Sequence, residues 1–523
     1  QRPAGQRPAT PLHRLEDRAL VDAVVKFGAL SEAVLTDPDL RALVLPALRA
    51  DFKVYETYAP PEGRAPLALR ITALGGEDDA QFPPASLGSW GAETCVGLLG
   101  PALFPGGHFF VDSARAAVLR LVHEHLMTAW GALPPSLVSS ALPAPGAAGE
   151  RLMHEVVLEH AACQGDRDAI VDDKFRVTYG EMAARVELLA AKLQAEFLHG
   201  KANEVVGLLM THDASYLTCM LGVWRAAAVL IVIETHFPTD MIKEIVESSG
   251  VAAAIVDGQH AGKFEAIPAC PALVLHDWAS LEAPATIPKL PRAGPEDLII
   301  LMMTSGTTGR PKQIAGTHYF LHFGHLAKNE LVPYQADDDR EGFNVMFVWE
   351  AVRPLLKGLT SFVISDGAVL DPQLFVSTLQ RHSLTRVLTT PSLLATIMQL
   401  CAAGLDKRLA AMRTWFLCGE VLPAKTAQAF RRQLPNCKLI NDYSTWESGD
   451  VAYSVVAPAP SYEPTSVFAL AGQAAPGVCL AIIDPETKRL APRGVPGELY
   501  MGGVSLSSGY FRQPEVTAER FVE

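Results

Sequence analysis

The chain has 523 residues, 49% hydrophobic and 19% charged, with 44 basic against 57 acidic side chains and a formal net charge of −13. That apolar content supplies several buried cores and excludes a highly charged disordered polymer. The acidic balance excludes a surface that tracks nucleic-acid phosphates, and the length corresponds to three or four domains of about 150 residues each.

Residues 1–12 are rich in Pro, Arg and Gly and read as an unstructured lead-in. The patterns at 23–30 and 38–53 are those of amphipathic helices, the first with Asp17 and Asp22 near its start. Residues 67–74 form a strand pattern that ends in Gly75 and Gly76, and 114–128 form another helix pattern. Residues 132–150 have no apolar periodicity and are rich in Pro, Ser, Ala and Gly, the composition of an interdomain linker. Beyond Arg151, strands are expected at 205–209, 229–233, 253–256, 272–275, 298–303 and 361–364, with helices such as 179–193 and 241–248 between them. This alternation predicts α/β layers with mostly parallel sheets. The apolar run 217–233 contains Arg225 and reads as a helix end followed by a strand, not a membrane span. The eight cysteines are scattered without a C-x-x-C pair, and the first 20 residues carry no signal-peptide pattern; both fit a cytoplasmic protein with free thiols.

The strongest local signal is an apolar strand running into Thr304-Ser305-Gly306-Thr307-Thr308-Gly309-Arg310-Pro311-Lys312. Glycines let the backbone approach a phosphate, hydroxyls and N–H groups donate to its oxygens, and Lys312 adds positive charge. The spacing is not that of a Walker loop. His318, His322 and His325 share one helix face, but no acid completes a metalloprotease pattern and we assign no metal there. His123 and His125 read as a polar helix surface, and Asp337-Asp338-Asp339 as a solvated turn.

The 304–312 loop, followed by Thr317-His318, resembles the core signature of the adenylate-forming enzymes: acyl-CoA ligases, luciferases and the adenylation domains of non-ribosomal peptide synthetases. Other motifs follow in the family's order: Val177-Thr178-Tyr179-Gly180-Glu181, Thr390-Pro391-Ser392-Leu393, Cys418-Gly419-Glu420 and Asn441-Asp442-Tyr443-Ser444-Thr445-Trp446-Glu447. The stretch 497–522 is similar to the adenylation-domain branch in particular. The resemblance implies an α/β fold of layered, mostly parallel sheets over 151–523, the large subdomain of such an enzyme. It also implies attack of a carboxylate on the α-phosphate of ATP, with Mg²⁺, to give an acyl-adenylate and pyrophosphate. In that reading Thr304, Ser305, Gly306, Thr307, Thr308, Gly309 and Lys312 hold phosphate oxygens, and Lys312 also acts in catalysis. Gly419 and Glu420 border the nucleotide, Asn441, Tyr443, Ser444 and Thr445 line its site with Tyr443 stacked on adenine, and Glu447 binds Mg²⁺. Ser444, Trp446 and Gln313 depart from the usual residues. The acid site resembles F-D-x-S-V-W-E but reads Phe343-Asn344-Val345-Met346-Phe347-Val348-Trp349-Glu350, with one residue inserted and Asn344 or Val345 in place of the Asp. Phe343, Asn344, Val345, Met346 and Trp349 are the expected acid-binding residues. A buried ammonium without a counter-charge is costly, so we expect an acid that lacks an α-ammonium or carries its amine further away.

Residues 37–58, 71–79 and 103–111 resemble the C-terminal half of a type II thioesterase, an α/β-hydrolase, placed at 13–131. The resemblance implies His108 as general base, oriented by Asp79 or alternatively Asp78. No G-x-S-x-G elbow precedes Asp79, so these residues are expected to lack their nucleophile. The whole reads as a fragment of a carrier-dependent megasynthase, lacking the C-terminal lobe. It would activate a small carboxylic or amino acid and load it onto the phosphopantetheine of a carrier protein domain, with no nucleic-acid or membrane partner. A stand-alone acyl-CoA ligase and a degenerate nucleotide-binding module are the alternatives.

Overall fold

The computed structural model describes residues 11–25, 37–57, 66–67, 71–79, 82–129, 137–139, 151–304, 312–335, 339–344, 350–457, 467–492 and 494–522. The chain divides into two compact units, 1–134 and 135–523.

In the first unit, helices α1 (Asp17–Val25) and α2 (Pro38–Thr57) bury Leu20, Val24 and Leu45. Strands β1 (Ile71–Gly76) and β2 (Leu98–Phe104) pair in parallel, and α3 spans Arg115–Ala129. The strand expected at 67–74 starts later, and Gly75 and Gly76 belong to it. Gly76 is required there, because a Cβ would lie 2.2 Å from the Gly107 carbonyl oxygen and 2.4 Å from that of Gly106.

The second unit opens with β3 (Leu137–Ser139), which pairs with β19 (Val478–Ile483). The linker expected over 132–150 thus contains a strand; its backbone finds partners in a sheet whose other strands are more than 300 residues away, which local composition does not report. The third strand of that sheet is β20 (Glu498–Gly503).

A larger sheet has the order β11-β10-β7-β6-β8-β9. Its strands are β6 (Val205–Leu209), β7 (Val229–Val232), β8 (Val251–Asp257), β9 (Ala272–Leu275), β10 (Leu298–Thr304) and β11 (Lys312–Thr317). All neighbours are parallel except the β10–β11 pair. The largest sheet has the order β18-β17-β16-β15-β14-β12-β13-β4-β5. It comprises β4 (Asp168–Val171), β5 (Arg176–Thr178), β12 (Glu341–Asn344), β13 (Ser361–Ile364), β14 (Arg386–Thr389), β15 (Thr414–Leu417), β16 (Lys438–Thr445), β17 (Gly449–Ala457) and β18 (Gln473–Ala474). The run from β16 to β4 is parallel, with antiparallel pairs at both ends.

These strands are near-continuous apolar runs because helices cover both faces of a parallel sheet. Helix α4 (Tyr179–Leu193) starts where the sequence places it: Thr178 and Glu181 form a reciprocal capping box. Helix α5 (Ala214–Arg225) packs against it, and Trp224 donates its indole N–H to the Ile299 carbonyl. Asp339 corrects the expectation of a solvated turn. It is buried and accepts from Gln335 N, Thr385 Oγ1 and Arg413, whereas Asp337 and Asp338 lie outside the described residues. Among the described residues no helix is long and apolar enough to cross a membrane.

Candidate functional site

In an open parallel sheet, ligands gather at the carboxyl ends of the strands, and several of the expected residues that are described sit there. Thr304 ends β10 and is paired across the hairpin with Lys312, the first residue of β11. Ser305, Gly306, Thr307, Thr308 and Gly309 lie outside the described residues, as do Val345, Met346 and Trp349. Gly419 follows β15 with a positive φ of 86°, which suits glycine. Glu420 accepts from the Ser392 N–H and hydroxyl, joining two of the sequence motifs. Thr390 caps the helix that begins at Pro391.

Strand β16 carries the second group. Asn441 is buried and donates to the Leu470 carbonyl. Tyr443 is partly exposed. Ser444 donates to Cys418 Sγ at 3.6 Å, and the Thr445 hydroxyl meets that of Ser448 at 2.7 Å. Glu447 accepts from the Tyr510 hydroxyl at 2.8 Å, and the Lys312 ammonium lies 5.1 Å from the centre of the Tyr510 ring. Burial and the bond to Glu447 push the Tyr510 hydroxyl up to about 12, so it is a proton donor at neutral pH.

Tyr510 is positioned by a segment that closes the outer edge of β11. Ser508 N donates to Ala315 O, Ala315 N to Gly509 O and Phe511 N to Gln313 O, while Ser507 N donates to the Glu447 carbonyl. A cavity of about 760 Å³ results, with Lys312, Gly419, Ser444, Thr445, Glu447 and Tyr510 in its wall. Sequence reasoning quoted the 497–522 stretch but did not single out Tyr510.

The expected acid-binding residues that are described lie elsewhere. Phe343 is buried beneath the Arg353 guanidinium, 5.3 Å from the ring centre. Asn344 donates to the Ile364 carbonyl and to Asp366, at the end of the neighbouring strand. Neither is in the cavity wall. Glu350, from the same motif, is in that wall.

Lys328, on α8 (His318–Leu331 in chain order; α6 and α7 being Thr239–Ser249 and Ala261–Glu265), is fully buried with Glu350 at 2.9 Å, Asp450 at 3.1 Å and Asp442 at 3.2 Å. Arg353 bridges Glu350 to Glu341, at 2.5 Å each, and Arg386 lies 3.7 Å from Glu341. Burial opposes the charge on Glu350, but the Lys328 ammonium and Arg353 guanidinium hold its carboxyl down at about 2. Burial and the neighbouring Asp450 carboxylate push Asp442 well above the usual range. On the histidine face, His322 is bonded to the Arg151 carbonyl and His318 packs edge-on against His154; among the described residues no group of three potential metal ligands occurs.

In the first unit, His108 Nδ1 lies 3.0 Å from Asp79 Oδ2. Asp79 is buried just after β1 and also accepts from Phe82 N, while Phe82 stacks on the imidazole at 5.5 Å. Asp78 is exposed, so the geometry selects Asp79 as the partner. Gly76→Ala would force the Gly106–Gly107 carbonyls away and shift the His108 loop. The expected loss is about 1–3 kcal/mol, read by denaturant unfolding of the first unit; an unchanged midpoint would remove the steric argument.

The parallel sheets, the order of motifs along the strand ends and the Lys312–Tyr510–Glu447 grouping define an adenylate-forming fold. The chain belongs to the AMP-binding enzyme family, which matches residues 157–511, and the thioesterase domain family matches residues 1–126. Among its relatives is glycine betaine reductase ATRR of Emericella nidulans, 31% identical over 364 residues, covering 68% of this chain and 27% of that protein. Phosphinothricin tripeptide synthetase PhsC of Streptomyces viridochromogenes is 26% identical over 530 residues, covering 98% of this chain and 45% of that one. The chain therefore spans less than half of either relative. The non-ribosomal peptide synthetase FmoA3, in a form with bound alpha-methyl-L-serine-AMP, superposes with a TM-score of 0.64 at 20% identity, over 73% of this chain and 42% of that one. VinN gives 0.60 at 22% identity, over 71% and 92%. These structural likenesses establish the fold.

Proposed function

We propose that the second unit activates a carboxylic acid with ATP, forming an acyl-adenylate and releasing pyrophosphate, for loading onto the phosphopantetheine of a carrier domain. The observation that carries this reading is the grouping of Lys312, Glu447 and Tyr510 in the wall of one cavity at the strand ends. The work asked of the protein is positioning and charge neutralisation. Lys312 would meet phosphate charge. Tyr443, partly exposed on β16, presents a ring for the adenine. Glu447 supplies a hard carboxylate oxygen suited to Mg²⁺, which keeps waters and takes its remaining ligands from the phosphates; bound there, the ion would neutralise charge on the triphosphate. Tyr510 orients that carboxylate.

The adjoining thioesterase match, and the His108–Asp79 pair within it, favour a carrier-dependent assembly line over a stand-alone acyl-CoA ligase. Acid-dependent exchange of labelled pyrophosphate into ATP by the purified protein tests the activation step. Tight ATP binding without exchange for any acid would leave a nucleotide-binding module instead.

A further inference from the structure

The cavity that holds Lys312 and Glu447 also has Glu350, Asp450 and His325 in its wall. The buried network behind that wall joins four carboxylates, Glu341, Glu350, Asp442 and Asp450, to three cations, Lys328, Arg353 and Arg386. Out of water, an excess of one negative charge is costly. Burial and the neighbouring Asp450 push the Asp442 carboxyl well above its usual range, so the excess charge is disfavoured there.

His325 is an independent sign of a ligand. It is 3% exposed and faces the cavity, and neither ring nitrogen has a hydrogen-bond partner among the described residues. Burial lowers its pKa to about 3, so the ring is neutral and offers one N–H and one lone pair. Beside it, Gly324 puts no side chain between the cavity and Asp450; a Cβ there would stand 3.7 Å from Asp450 Oδ2. Asn344, which with Val345 is one of the two positions where the resemblance places an ammonium-binding Asp, is engaged with Ile364 and Asp366 instead, and Val345 lies outside the described residues.

We propose that the acid activated at this site carries a cationic nitrogen, and that Asp450, backed by Asp442 and flanked by Glu350 and His325, is its counter-charge. The inference rests on the ligase reading above and names the substrate class for it. The counter-charge comes from Asp450 at the start of β17, with neutral His325 from the middle of α8 and Glu350 from the end of the 343–350 segment beside it, and not from Asn344. A cation entering there would offset the excess negative charge of the network.

The test is pyrophosphate exchange by the purified protein with glycine betaine, β-alanine and γ-aminobutyrate, each against its uncharged carbon isostere: tert-butylacetate, butanoate and pentanoate. At least one cationic acid is expected to exceed its isostere by about tenfold or more in kcat/KM. Preference for betaine assigns a quaternary nitrogen, and preference for the amines assigns an N–H-bearing one that His325 can pair. Asp450→Asn is expected to bring the ratio close to one while ATP affinity stays unchanged, and Asp450→Glu to restore the preference, which separates charge from misfolding. Equal or better exchange with the isosteres, or an Asp450→Asn ratio like that of the parent, overturns the proposal and leaves the ligase reading standing. Exchange with none of the acids despite ATP binding overturns both.

Discussion

Replacing Lys328 with methionine is expected to destabilise the second unit by about 3–5 kcal/mol, the cost of stranding buried charge when one partner of an ion pair is removed. The ammonium serves three carboxylates at once, within 2.9–3.2 Å. Methionine fills most of the same volume, so the loss is electrostatic and not a cavity effect. Its pH dependence follows from Glu350, whose carboxyl is held down at about 2 from a usual 4.5. A depressed acid contributes stability that is present above its unfolded pKa and lost as pH falls through the folded one. The gap between parent and variant is therefore widest above about pH 5 and narrows toward pH 2. Asp442→Asn should cost less than the loss of Lys328, because burial and Asp450 already disfavour the charge on that carboxyl. Denaturant unfolding of the second unit across pH measures all three; a pH-independent gap would mean that Lys328 acts through packing.

Glu447→Gln is expected to lower pyrophosphate exchange by about 10²–10³-fold, the usual effect of removing one preorganised electrostatic group from a reacting centre. The amide keeps the shape and can still accept from Tyr510 through its carbonyl oxygen, so folding should be intact. If Glu447 holds Mg²⁺ as proposed, the variant needs more of the ion for half-maximal rate while ATP affinity measured without metal is unchanged. Tyr510→Phe removes only the 2.8 Å bond that orients the carboxylate, and a shift in the same direction of about tenfold or less is expected. An unaltered Mg²⁺ dependence in Glu447→Gln would exclude that role.

Much of the second unit was legible because its strands are apolar runs bounded by helix signals. Val205–Leu209 and Ser361–Ile364 fall on the expected residues, and Tyr179–Leu193 begins at the capping pair Thr178 and Glu181. The site was legible where function is written in contiguous motifs, as in 441–447. It was not legible where partners come from different elements. Lys328 belongs to none of the sequence motifs; only the fold brings Glu350, Asp442 and Asp450 to it. Asn344 reads as a substrate ligand by position, but a strand-end carbonyl and Asp366 are closer partners. The strand at 137–139 is invisible locally because its stabilising pairs belong to β19.

The closing of the β11 edge by residues 507–511 sets an order of events during synthesis. The pairing of β10 with β11 can form once β11 leaves the ribosome, yet its outer edge is completed only by residues about 200 positions later, roughly 10–40 s at ordinary elongation rates. Throughout that interval a nascent chain presents an unpaired, apolar strand edge beside the loop, a template for mispairing with another chain. The segment that delivers Tyr510 to Glu447 thus also ends the period in which that edge is open to mispairing.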